Sequence, residues 1–179
     1  MVRPFRGLRV QGAPVPGQLP ARIPALTLRQ PWAWAIAYGS KGIENRGRRM
    51  NYRGPVWLHA GARSRWDPAG EDSPLVRGAW VDCARSRPDA RELLNRRTSS
   101  MDFGAVIALV TITGCHHWTD CRGTCSPWAA EGCFHIELGE HVTCLPQPVP
   151  CRGALGLWGL SAADAKGARD QLAGLEIRP

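Results

Sequence analysis

The sequence predicts an α+β fold: a small mixed β-barrel with helices packed outside it and a helical insertion. Three observations lead there. Short strand-like runs recur between turn signals, a single early segment has helical spacing, and consecutive strands lack crossover helices of the size a parallel βαβ fold needs. The chain has 179 residues and a mass of 19.6 kDa, which is one domain on the usual length prior. Its 44% hydrophobic and 21% charged residues exclude wholesale disorder. No apolar run approaches the ~20 residues of a membrane span, so no membrane association is expected. The opening MVRPFRGLRVQGAPVPGQLP has arginines but no apolar core of a secretory signal, and a cytoplasmic location is expected.

The elements follow in order. Residues 1–23 carry four Pro, three Gly and four Arg without apolar periodicity and read as a flexible basic tail. Arg3, Arg6, Arg9 and Arg22 could touch phosphate from it. A domain is expected over 24–160. Ala25–Arg29 is a short strand with Leu26 and Leu28 alternating. Pro31 suits the first turn of a helix, on which Trp32/Ile36 and Trp34/Tyr38 are i,i+4 pairs, and Gly39 is its stop. A strand is expected at Gly42–Arg46, a turn at Tyr52–Gly54 and another strand at Pro55–Ala60. Residues 61–100 read as a helical insertion, with Trp66, Leu75, Val76, Trp80, Val81, Leu93 and Leu94 at rough helical spacing and breaks at Pro74 and Pro88. Phe103–Thr113 is apolar throughout and reads as a strand buried on both faces. Gly114–Gly132 reads as loop with one helical turn at Pro127–Ala130. Cys133–Leu138 alternates as a half-buried strand, and Pro146, Pro148 and Pro150 make an extended connector. Arg152–Leu160 supplies the last strand, and 161–179 hold a C-terminal helix and tail.

Charge is unevenly spread. Residues 1–65 hold twelve basic groups and one acid, whereas the whole chain carries a net +8. A basic half suggests a surface that faces a polyanion. Of the 23 basic residues 21 are Arg, which makes the exceptions informative. Lys41 is the sole Lys before residue 166 and Glu44 the sole acid before residue 67, and they stand three apart in GSKGIENR. A lysine ammonium is compact and its pKa responds to burial, so it can do proton or nucleophile chemistry that Arg cannot.

The blocks LTLRQPWAWAIAYGSKGIENR, YRGPVWLHAG, GAVIALVTI and RGALGLW, in that order, resemble an ASCH domain (activating signal cointegrator homology) of the PUA-like superfamily. The likeness runs from about Pro24 to Leu160. Its most specific part is R-Q-P-W followed by G-x-K-x-x-E-x-R, here Gly39, Lys41, Glu44 and Arg46. The resemblance implies a PUA-like barrel with a cleft beside the helix–strand junction, where relatives bind RNA or modified bases. Some ASCH proteins are N4-acetylcytidine amidohydrolases that use a Lys and a Thr of a G-x-K-x-x-T version, plus a distant Glu; another is a ribonuclease. Lys41 matches that Lys, Glu44 stands in place of the Thr, and no residue here aligns with the distant Glu.

The residue types define what such a cleft could do. Lys41 could hold phosphate or a base carbonyl, or act as base or nucleophile. Glu44 could accept from an exocyclic amine, as a carboxylate does from cytosine N4, or activate water. On one strand they would fall on opposite faces, so a bend at Gly42 is needed for them to converge. Arg46 shares the face of Glu44 and suits phosphate or a base edge. Arg29 and Gln30 precede the helix start, where anions gather, although Gln30 could equally be a plain cap. Arg48, Arg49 and Arg53 form a basic tip for salt-sensitive backbone contacts. Trp32 or Trp128 could stack a base, while most of the eight Trp are expected in the core. His59 ends a strand and reads either as a site residue or as a structural histidine.

Cys115, His116, His117, Cys121, Cys125, Cys133 and His135 fall within 21 residues. Zinc takes four N/S ligands, and Cys115, Cys121, Cys125 and His117 would be the set. The spacing lacks paired C-x2-C knuckles, however, so the expectation is free thiols, no metal and no cofactor. The reading from sequence is therefore an RNA- or modified-nucleoside-binding domain with Lys41, Glu44 and Arg46 at its centre. Its alternatives are a hydrolase in which Lys41 and Glu44 are catalytic, and an adaptor that engages a protein partner through 61–100.

Overall fold

The computed structural model describes residues 19–85 and 101–176. Arg3, Arg6 and Arg9 of the basic tail, and Pro88, Leu93 and Leu94 of the insertion, lie outside the described residues. The described elements are β1 (Pro24–Leu28), α1 (Trp32–Tyr38), β2 (Ile43–Arg46), β3 (Gly54–Ala60), α2 (Pro68–Glu71) and α3 (Pro74–Arg85). They continue with β4 (Ala105–His117), α4 (Trp118–Cys121), β5 (Phe134–Leu138), β6 (Thr143–Pro150), β7 (Leu157–Gly159) and α5 (Ala162–Glu176), and a 3-10 turn spans Arg63–Arg65.

The strands form one seven-stranded sheet in the order β2-β5-β4-β3-β1-β7, with β6 also pairing β4. β1 and β3 run parallel; every other pair is antiparallel. The α+β class holds, but the sheet is not closed into the expected barrel. The ends of the order, β2 and β7, are only four and three residues long. β7 pairs Pro24, Ala25 and Leu26 and stops short of Thr27. There a side chain replaces a strand ladder: Arg46 on β2 donates from Nη2 to the Thr27 carbonyl at 2.9 Å.

Two apolar clusters sandwich the sheet by alternation, which a register shift interrupts on β4 between Val106 and Ala108. Leu26, Leu28, Val56, Leu58 and Ala60 join Ala33, Ile36 and Ala37 of α1 on one face. Ala25, Trp57, Val106 and Leu109 join Ala168 and Leu172 of α5 on the other. The C-terminal helix is thus part of the core. So is the end of the expected tail: Ile23 is buried in the second cluster with Leu19 against it, and Arg169 donates to the Pro20 and Ala21 carbonyls. A third cluster docks the insertion on the outside of α1, where Trp34 meets Trp80 at a centroid distance of 4.4 Å. Pro74 opens α3 instead of breaking a helix, as suits a residue whose missing N–H is harmless in a first turn.

β4 is the largest departure from expectation. It runs through Gly114–His117, which the sequence reading gave to a loop, because Gly, Cys and His carry no strand signature there. The three prolines of β6 are compatible with a strand since it pairs β4 alone and needs no donors on its outer edge.

Candidate functional site

The chain turns sharply between α1 and β2. Gly39 caps the helix, Ser40 adopts a left-handed φ of 58°, and the Lys41 amide donates back to Ala35 at 3.0 Å. Lys41 therefore precedes the strand, which starts at Ile43, and is not bound by strand alternation. The bend that lets it meet Glu44 is at Ser40, not at Gly42, whose position leaves open space for a side chain.

Lys41 is only 3% exposed. Its Nζ donates to the Ile43 carbonyl and to Glu44 Oε2, the latter at 3.1 Å. The other Glu44 oxygen lies 3.1 Å from Arg46 Nε, an ion pair in which the Nε–H is not aimed at the oxygen. Trp32 closes the group, with its ring centroid 5.9 Å from Nζ. Exposure rises from Lys41 through Glu44 to Arg46, whose side chain is 32% exposed, so the cluster meets solvent at the guanidinium.

The remaining predicted residues are placed as follows. Gln30 is buried and its amide is spent internally: Oε1 accepts from the Trp34 amide and Nε2 donates to the Asp102 carbonyl, both at 2.8 Å. Trp32 is half-buried, its indole N–H donating to Asp67 at 2.9 Å and its ring lying where a Cβ on Gly70 would stand. Arg29, Arg48, Arg49 and Arg53 are exposed, and Arg53 donates to the Met50 and Tyr52 carbonyls. His59 lies away from Lys41's partners, edge-on to Trp158 of the second cluster, with Nε2 3.1 Å from the Cys151 carbonyl. Burial lowers its pKa against the raising effect of that hydrogen bond. Trp128 lines a cleft of about 500 Å³ with Tyr38, Gly39 and Ser40 from the end of α1 and Leu75, Asp82 and Cys83 from α3. Asn45, between Glu44 and Arg46, ties this wall to β2: its Nδ2 donates to the Trp128 carbonyl at 2.8 Å and its Oδ1 accepts from the Ala130 amide at 3.1 Å. Sequence reasoning missed Asn45, for nothing but its alternation with Glu44 and Arg46 marked it.

A second polar group lies across the β4–β5 ladder. Of Cys115, Cys121, Cys125 and His117, the four that a zinc ion would have taken by the sequence reading, the structure brings Cys121 and Cys125 together but leaves the other two outside. Cys115 faces the first apolar cluster, and the His117 side chain caps α4. The partners of Cys121 and Cys125 are instead His116 and His135, and one ligand atom from each of the four lies within 4.8 Å of all the others. Burial would raise the Cys121 thiol, but hydrogen bonds from Cys125, the Gly123 backbone and both histidines outweigh it and lower its pKa; burial and the Cys121 contact raise Cys125. The signal for His116 and His135 was register, which spacing alone does not display.

The family model of the ASCH domain matches residues 26–148, which takes in β1 through most of β6 and both polar groups. No curated protein matches the chain. No helix among the described residues is long and apolar enough to cross a membrane. With the match covering more than half of its length, and with Lys41, Glu44 and Arg46 drawn together at the helix–strand junction, the chain belongs to the ASCH domain family.

Proposed function

We propose that the chain binds RNA or a modified nucleobase or nucleoside at the Lys41–Glu44–Arg46 cluster. The observation that carries this reading is the burial of the Lys41 ammonium beside a carboxylate that Arg46 also contacts. Holding an ion pair out of water is costly and adds little net stability, so such a group is a poor choice for structure alone. An ammonium has three donors. Two of those of Lys41 are spent on Ile43 and Glu44, and the third is left for a base carbonyl or a phosphate oxygen. Glu44 complements it by accepting from an exocyclic amine, Arg46 sits at the solvent side for phosphate, and Trp128, whose carbonyl Asn45 holds, offers a stacking face in a cleft that Ser40, next to Lys41, also lines. The basic first 65 residues favour a polyanion over a neutral ligand.

A second reading rests on the 3.1 Å contact of Lys41 with Glu44, a spacing that permits proton transfer. In it the same cluster hydrolyses the amide of a modified cytidine or cleaves RNA.

One experiment separates them. The protein and its Lys41→Ala variant are incubated with a mixed RNA pool and with N4-acetylcytidine, retention is measured against salt, and products are read by mass spectrometry. Binding predicts salt-sensitive retention without product, and a loss of about tenfold or more in the variant, the effect of one charge-assisted hydrogen bond. Product from the unaltered chain alone selects hydrolysis. Neither product nor retention rejects both and moves weight to an adaptor role for the 61–100 insertion.

A further inference from the structure

The geometry points to a zinc site made by His116, Cys121, Cys125 and His135, a structural clip that fastens the β4–β5 connection to the sheet. Three independent features support it.

The first is the donor geometry. His135 Nδ1 lies 3.3 Å from Cys121 Sγ, 3.4 Å from Cys125 Sγ and 3.3 Å from His116 Nε2. Bond lengths of ~2.0–2.1 Å to nitrogen and ~2.3 Å to sulfur require edges of about 3.3 Å between nitrogens and about 3.6 Å between nitrogen and sulfur in a tetrahedron. The cluster already has nearly those edges. With two thiolates and two imidazoles no coordination position remains open, which is the pattern of structural zinc.

The second is the tautomer of each ring. His135 Nε2 donates to the Ala130 carbonyl at 2.8 Å, which leaves Nδ1 with its lone pair toward the cluster. His116 Nδ1 lies 2.6 Å from Glu137 Oε1, which likewise leaves Nε2 free to bind. A carboxylate and a carbonyl behind the two imidazoles are what zinc-bound histidines ordinarily require.

The third is the way the backbone makes room for this. The register of β4 on β5 shifts between Ile112 and Gly114, and the extra residue sets His116 opposite His135; without it Phe134 would stand there. At Gly114 a Cβ would collide with the Glu137 carboxylate, so the lack of a side chain there lets Glu137 fold back onto His116.

The ion's effect would extend beyond the cluster. The connection that it fastens carries Trp128 and Ala130, the two residues that Asn45 holds beside Glu44 and Arg46.

The test is a metal count on the full chain purified without chelators from zinc-supplemented medium, with zinc measured by plasma mass spectrometry. The expected result is about one zinc per chain, falling below about a tenth in Cys121→Ser/Cys125→Ser. Cys133→Ser and His117→Ala, close in sequence but outside the cluster, keep the metal. Glu137→Gln lowers zinc affinity about 10–100-fold in a chelator competition. Should the double variant not fold, Co2+ reports on the unaltered chain: the expected spectrum is that of a tetrahedral centre with thiolate charge-transfer bands. Less than about a tenth of an equivalent in the unaltered chain, an octahedral Co2+ spectrum, or an intact mass lower by two hydrogens from a Cys121–Cys125 disulfide would each overturn the site.

Discussion

Two polar clusters lie on neighbouring strands, one at the start of β2 and one across β4 and β5, and they deal with burial in opposite ways. In the Lys41 cluster the charges answer one another: ammonium to carboxylate, carboxylate to guanidinium, guanidinium to a backbone carbonyl left over at the end of a ladder. In the His116 cluster the polar atoms do not pair off; lone pairs and thiols converge on one point while every spare N–H is turned outward to Glu137 or Ala130. The difference is diagnostic. Paired charges with donors to spare suit the ligand-binding role proposed for the first cluster, whereas convergence suits the ion proposed for the second. A single strand serves both, because Glu44 and Arg46 face one way and Asn45 the other.

The largest expected effect breaks the first half of that comparison. Glu44→Ala leaves the Lys41 ammonium buried with no carboxylate beside it, and losing one partner of a buried pair typically costs about 3–5 kcal/mol. Lys41→Met combined with Glu44→Leu removes both charges and is expected to recover most of that loss. Urea denaturation of the three proteins measures it. If Glu44→Ala costs under about 1 kcal/mol, the pair is solvated in solution and does not behave as a buried ion pair.

How much of this was legible in the sequence depends on the kind of information. Elements with a strong local signature were readable: the Leu26/Leu28 alternation, the helix ending at Gly39, and the apolar run that became the buried half of β4. Lys41 and Glu44 drew attention because a lone Lys and a lone acid stand out in an Arg-rich stretch, and Arg46 followed from its alternation with Glu44. Long-range facts were not readable. Barrel closure was one of them: the open order ends in β2 and β7, and a three-residue strand has no length signature. The sequence reading expected no metal and, for the case of zinc, paired Cys121 and Cys125 with Cys115 and His117. The actual neighbours are set by the bulge before Gly114, which follows from how β4 lies against β5. Asn45 was invisible because its partners, Trp128 and Ala130, are more than eighty positions away.

Asn45→Ala sharpens the comparison by cutting the link between the clusters. Two hydrogen bonds are lost, to the Trp128 carbonyl and from the Ala130 amide, for a cost of about 1–3 kcal/mol. The more telling readout is that both sites change together: hydrogen exchange across 126–133 quickens, and RNA retention falls although no residue of the charged cluster is altered. Unchanged exchange in that segment would show the clusters to be independent.

The smallest effect concerns His59, a histidine that shares burial with His135 but has neither a metal-type neighbourhood nor a charged partner. Its Nε2 meets the Cys151 carbonyl, and its Nδ1 has no hydrogen-bond partner among the described residues. Burial favours the neutral ring, so its folded pKa lies below the ordinary 6.5. The sign follows. Below pH 6.5 the unfolded chain takes up a proton that the folded chain refuses, so stability falls as the pH drops from 6.5 toward the folded pKa, and is fully present above 6.5. The slope for one such group cannot exceed about 1.4 kcal/mol per pH unit. Carboxylates contribute at lower pH, so the quantity to measure is the difference between the unaltered chain and His59→Gln in urea midpoint from pH 7.5 to 5. The variant should be less stable at the upper end and lose less on acidification. Parallel profiles would mean that His59 titrates alike in the folded and unfolded chain, so that burial does not hold the ring neutral.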